Sequence, residues 1–162
     1  MNVFEYAKKM ELNGINFYLD ELDRATCPGF KKILQTLIDE EEKHYVFFDI
    51  LQQKLEPGKL LTFPLDEVKN VFQQMRKNKE GFDFSVEQIE AYRKALEIEK
   101  RSENFYRNEA AKIENKDIKE QLLTVAAEEQ KHVILMDGVV EYINRPNEWV
   151  EHAMFSQLRQ EY

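Results

Sequence analysis

Two short segments, Glu41-Glu42-Lys43-His44 and Glu129-Gln130-Lys131-His132, each place a glutamate three residues ahead of a histidine. Residues three apart on a helix share one face about a turn apart, so each pair can offer two ligands to one metal ion. The flanks set which face that is. Leu34, Leu37, Glu41, His44, Phe48, Leu51 and Leu55 follow alternating steps of three and four, and so do Leu122, Val125, Glu129, His132, Met136, Val139 and Ile143. Such a stripe is the seam by which a bundle helix packs on its neighbours, and the Glu and His stand inside it. An ionised carboxylate taken out of water is costly unless it is paired, and a cation is the natural partner. One Glu-x-x-His in a charged helix is what chance supplies. Two of them, each in register with a core seam, signal a metal site.

The rest of the composition suits such a scaffold. At 162 residues the chain is long enough for a single domain with a sizeable core. Only five glycines and four prolines, among abundant Glu, Lys, Leu and Ala, favour long helices over a sheet. No stretch approaches the run of apolar residues that a membrane span needs. Met1-Asn2-Val3-Phe4-Glu5 shows neither a basic leader nor an apolar run, so a cytoplasmic protein is expected. Cys27 is the sole cysteine, which excludes an internal disulfide and a thiolate metal cluster. A formal net charge of −8 disfavours nucleic acid, whose phosphates call for clustered Lys and Arg.

Taken in order, the chain predicts four main helices. The first runs from about Asn2 to Ala25, with a seam of Phe4, Ala7, Glu11, Gly14, Tyr18 and Leu22. Thr26-Cys27-Pro28-Gly29 breaks it, and Pro28 suits the first turn of the second helix. That helix carries the first Glu-x-x-His and is expected to stop at Pro57-Gly58. The long connection that follows can cross the length of a bundle, and Leu65, Val68, Phe72 and Met75 mark a short amphipathic helix within it. Ser85-Val86-Glu87-Gln88 reads as a capping box opening the third helix, whose seam is Tyr92, Ala95, Glu99, Ser102, Tyr106, Ala110 and Ile113. Asn115-Lys116-Asp117 makes a turn, with Asp117 and Glu120 expected to cap the fourth helix, which ends near Asn144-Arg145-Pro146. A short docked helix is expected between Asn147 and Tyr162.

An internal repeat unites these pieces. A shift of 88 residues carries Ala7 to Ala95, Glu11 to Glu99, Phe17-Tyr18 to Phe105-Tyr106, Leu34 to Leu122, Glu41 to Glu129, Lys43 to Lys131 and His44 to His132. Two helix pairs, over about 1–56 and 85–144, thus share one design. The predicted fold is an all-α four-helix bundle with a long crossover between helices 2 and 3 and a short C-terminal helix.

Pseudo-symmetry brings Glu11, Glu41, His44, Glu99, Glu129 and His132 to one level of such a bundle. Four carboxylates and two imidazoles are the ligand set of a dinuclear carboxylate site. Oxygen donors with one nitrogen per metal suit Fe or Mn, and four negative charges balance two divalent ions. Glu41 and Glu129 are assigned as bridging ligands, Glu11 and Glu99 as terminal ones. Tyr18 and Tyr106, seven residues past the terminal glutamates, have two readings: hydroxyl donors to the ligand carboxylates, or core packing. Gly14 and Ser102 either leave room beside the metals for dioxygen or peroxide, or serve close helix packing. Glu40, Glu42 and Glu128 fall off the seam and are expected in solvent, and His152 is expected to be structural.

With these residues in view, the chain resembles the rubrerythrin-like branch of the ferritin-like superfamily. The resemblance rests on Ala7-x-x-x-Glu11 with Phe17-Tyr18, Ala95-x-x-x-Glu99 with Phe105-Tyr106, the two Glu-x-x-His pairs, and Trp149-Val150-Glu151-His152-Ala153-Met154-Phe155. It implies a ferritin-like bundle holding two Fe ions, with Mn or Zn as substitutes, that reduces hydrogen peroxide or reacts with dioxygen, often as a homodimer. Two departures stand out. Rubrerythrins proper carry a four-cysteine rubredoxin module, whereas this chain has only Cys27; electrons are therefore expected from an external donor protein or from Fe(II) itself. They also carry an extra glutamate where this chain has Ser102, and Glu103 lies one residue off that face. Three functions are compatible with the sequence: a di-iron peroxidase or oxidase, a ferroxidase or iron-handling protein, and a helical scaffold without catalysis.

Overall fold

The computed structural model describes residues 2–54, 64–79 and 85–144. Every regular element among them is an α-helix: α1 (Val3–Arg24), α2 (Pro28–Gln52), α3 (Leu65–Lys77), α4 (Val86–Lys112) and α5 (Lys116–Asn144). The all-α class predicted from composition and periodicity is the one the chain adopts. The tail expected to dock as a short helix, and the parts of the crossover at 55–63 and 80–84, lie outside the described residues. None of the described helices is long and apolar enough to cross a membrane. The chain divides into two compact units, Met1–Pro64 and Leu65–Tyr162.

The first unit is the pair α1 and α2, packed against each other. Asn2 opens α1 through a reciprocal capping box. The Glu5 N–H donates to Asn2 Oδ1 at 2.9 Å, and the Asn2 N–H donates to Glu5 Oε2 at 3.3 Å, satisfying two donors that the first turn leaves without helical partners. Extended backbone at Ala25 ends the helix, and Pro28 restarts the chain at the first position of α2. The two run antiparallel. Glu5 meets Gln52, Lys8 meets Asp49 and Glu11 meets His44, so numbers rise on one helix as they fall on the other. Along the two helices Ala7, Ile15, Tyr18, Phe30, Ile33, Leu34, Leu37, Ile38, Phe47 and Phe48 are buried; each fully buried Leu, Ile or Phe is worth about 1.5–3 kcal/mol.

α2 ends five residues before the Pro57-Gly58 expected to stop it. Lys54 takes a left-handed φ of 58°, and its N–H turns back to the Leu51 carbonyl. A left-handed residue just past the last turn breaks the helical ladder before a proline is needed.

The second unit holds α3, α4 and α5. Ser85 and Gln88 form the predicted capping box on α4, with bonds of 3.2 and 2.9 Å. α4 and α5 are antiparallel, as the pairs Arg93–Asn144, Glu99–His132 and Arg107–Gln130 require. The cap of α5 corrects the expectation: Asn115, not Asp117, accepts the Ile118 N–H at 3.1 Å. Only the residue just outside the first turn can aim a side chain at the third helical N–H; Asp117 is already inside that turn. Val68, Phe72 and Met75 of α3 are buried, and Phe72 meets Tyr142 of α5 edge-on at 5.9 Å.

Candidate metal centre

Each unit brings three predicted ligands together. In the first, α1 supplies Glu11 and α2 supplies Glu41 and His44. Nδ1 of His44 lies 3.6 Å from Glu11 Oε2 and 3.3 Å from Glu41 Oε2. In the second, Glu99 comes from α4, and Glu129 and His132 from α5; Nδ1 of His132 is 3.4 Å from Oε2 of each carboxylate. Within either triad, one ligand atom from every residue lies within 4.8 Å of the others. The same ring nitrogen faces the carboxylates in both repeats. All six residues are buried, with Glu99, Glu129 and both histidines at 0% exposure.

The donor chemistry fits a metal ion. Two carboxylates and an imidazole put formal charge −2 at each triad when both acids are ionised. Gathering two acids in a buried space is unfavourable without a cation to offset them. Oxygen donors with one imidazole match iron and manganese better than copper or a structural zinc. Cys27 opens α2 roughly 25 Å along the helix axis from His44, at 1.5 Å per residue, so no thiolate reaches the triad.

The neighbouring seam positions also repeat. Tyr18 and Tyr106 are fully buried, each edge-on to the phenylalanine before it, at 5.7 and 5.4 Å. Gly14 lies beside the Glu41 side chain. A Cβ there would meet nothing closer than Glu41 Oε1, at 3.8 Å, which is ordinary contact, so close packing does not demand glycine. Ser102, its counterpart in the repeat, is half-buried.

Glu40 and Glu128, expected in solvent, are buried at 2% and 8% exposure. The reason is a lysine three residues on: Lys43 Nζ donates to Glu40 Oε1 and Lys131 Nζ to Glu128 Oε1, both at 2.7 Å. A helix in a packed pair buries a stripe wider than its central seam, and a neutralised carboxylate can sit at the edge of that stripe. The ion pairs were legible in the sequence, since Glu40-x-x-Lys43 and Glu128-x-x-Lys131 obey the 88-residue shift, but their burial was not. Glu42 is exposed, as predicted, and His152 lies outside the described residues.

Repeated helix pairs that bury carboxylates and imidazoles in this pattern point to the class of helical carboxylate metalloproteins. The Rubrerythrin family model matches residues 2–136, which take in both triads. The chain belongs to the rubrerythrin family. No curated protein and no solved structure matches it.

Proposed function

We propose that this chain is a di-iron redox protein that reduces hydrogen peroxide or dioxygen with electrons from a separate donor protein. The observation that carries the reading is the duplication. Two buried Glu-Glu-His triads have matching composition and near-equal distances, in a member of the rubrerythrin family. With peroxide, one O–O bond breaks, two electrons and two protons are consumed, and two waters leave.

In this reading Glu11, Glu41 and His44 hold one iron, and Glu99, Glu129 and His132 the other. Bound iron supplies Lewis acidity and the two electrons. The residues do the rest. Leu34, Leu37 and Phe48 on the seam of α2, and Leu122, Val125 and Met136 on the seam of α5, are buried with the triads, and fixed charges act most strongly out of water. The hydroxyls of Tyr18 and Tyr106 would steady the ligand carboxylates, and Gly14, which lies against Glu41, would leave room for a small oxidant beside it.

The test is anaerobic Fe(II) loading of metal-free protein, followed by stopped-flow mixing with peroxide and, separately, dioxygen. Two irons per chain with fast oxidation by peroxide, abolished by Glu41→Ala or His132→Ala, support the peroxidase. Fast oxidation by dioxygen with many irons taken up per chain moves the function to iron handling. No stoichiometric binding overturns the metal reading.

A further inference from the structure

The 88-residue shift that matches the two triads also shows where their surroundings differ. One turn past the triad histidine the first unit has Phe48 and the second Met136; seven residues ahead of the first triad glutamate stand Phe4 and Tyr92. In the first unit the rings of Phe4 and Phe48 stack at 6.3 Å, and Phe48 meets Phe47 edge-on at 6.0 Å. These groups are hydrocarbon throughout and offer an oxidant little to react with. The matching positions of the second unit hold Tyr92, Met136 and Leu135, all buried.

Met136 is placed to meet what binds at the second triad. Residues four apart share a helix face, and a long helical side chain leans toward the N-terminus, over the preceding turn. For Met136 on α5 that turn carries His132, and the same stripe continues to Glu129. A thioether is soft and polarizable, and oxidation converts it to the sulfoxide. At 0% exposure Met136 is closed to an oxidant in bulk water, so its oxidation calls for an oxidant delivered at the triad. Met75 on α3 is equally buried and shares its helix with no triad residue, which makes it an internal control.

We propose that Met136 is a modification site beside the second triad: when peroxide reaches the site and no donor supplies electrons, its sulfur takes an oxygen atom from the peroxide. A sulfur lone pair attacks one peroxide oxygen, the S–O bond forms as the O–O bond breaks, and the other oxygen leaves with both protons as water. Sulfur loses two electrons and peroxide gains two, so the step needs no further reductant. The first triad has Phe48 at the matching position, which confines the modification to the second unit. A sulfoxide is polar and here stands in a packed core, so the modified chain should melt lower than the unmodified one. This inference rests on reading the triads as iron sites that take peroxide.

The experiment loads the full chain with Fe(II) anaerobically and adds a small excess of peroxide with no electron donor, beside metal-free protein treated alike. Iron oxidation is followed optically, and added oxygen is located by peptide mass spectrometry. One oxygen should appear at Met136 and none at Met75, and Met136 should stay intact in the metal-free chain. Oxidised iron with an intact Met136 overturns the sulfur role alone. Equal oxygen uptake at Met136 and Met75, or at Met136 with and without iron, means entry by unfolding rather than delivery at the triad, and overturns it as well. No iron uptake, or iron that peroxide leaves reduced, sinks the reading of the triads and this inference with it. Met136→Leu, a swap that conserves volume, checks the consequence. Its melting temperature should hold after the same treatment while that of the unsubstituted chain falls; an equal fall in both places the damage elsewhere and overturns Met136 as the oxygen acceptor.

Discussion

Glu11 and Glu41 share one imidazole in a buried space, and that economy of counter-charge has a measurable consequence. With no metal bound, converting one acid to its amide removes a like-charge repulsion. Glu11→Gln is therefore expected to stabilise the metal-free protein by about 0.5–2 kcal/mol, as relief of functional-site strain commonly does, while iron bound per chain falls. Thermal melting and metal analysis on one preparation check both; a destabilised metal-free variant would show that the acid is already well compensated. Lys8 gives a contrasting residue. The hydrogen bond from its Nζ to Asp49, aided by charge attraction, holds the ammonium above its ordinary value of 10.5. A raised folded value means the contribution is complete below the unfolded value and is lost as pH climbs through the folded one. Lys8→Met should thus melt lower than the unsubstituted chain at neutral pH, and the gap should close well above pH 10.5.

At the scale of an element, α1 carries a buried triad glutamate, a glycine and a buried tyrosine on one stripe, so packing and buried charge compete for the same face. Gly14 illustrates the competition. A glycine inside a helix costs roughly 0.5–1 kcal/mol against alanine, and a methyl group here meets only ordinary contact with Glu41. Gly14→Ala is expected to raise stability by about that amount in chemical denaturation. A loss of stability would mean that the Glu41 carboxylate needs the space even without metal. The helix ends show a different balance. The boxes at Asn2–Glu5 and Ser85–Gln88 follow local rules that read directly from spacing. The end of α2 and the cap of α5 depend on backbone conformation at Lys54 and Asn115, where several polar residues in a row make more than one local solution available.

For the whole chain, the 88-residue repeat is the organising fact, because each unit carries a Glu-Glu-His triad. Metal binding should therefore couple to folding in both. A ligand that binds only the folded state at a hundredfold excess over its Kd stabilises by about 2.7 kcal/mol. For a chain of this length that is a rise of roughly 5–10 °C in melting temperature. Fe(II) or Mn(II) should produce such a rise anaerobically and a chelator should reverse it, whereas a melting curve indifferent to both metals would favour a scaffold without a metal role.

The sequence by itself determined the helical class, the order of the elements and all six residues of the triads. These follow from a 3.6-residue period and from spacing within single helices, which the chain encodes locally: Glu41 and His44 must share a face wherever α2 lies. The burial of Glu40, Glu128 and Lys131 was decided only in the folded structure. So were the side of each imidazole that meets the carboxylates and the place of Gly14 against Glu41. A charged side chain one position off the seam goes to water or to the core according to what packs over it and which counter-charge it finds. That choice is made between helices, where no local period can specify it.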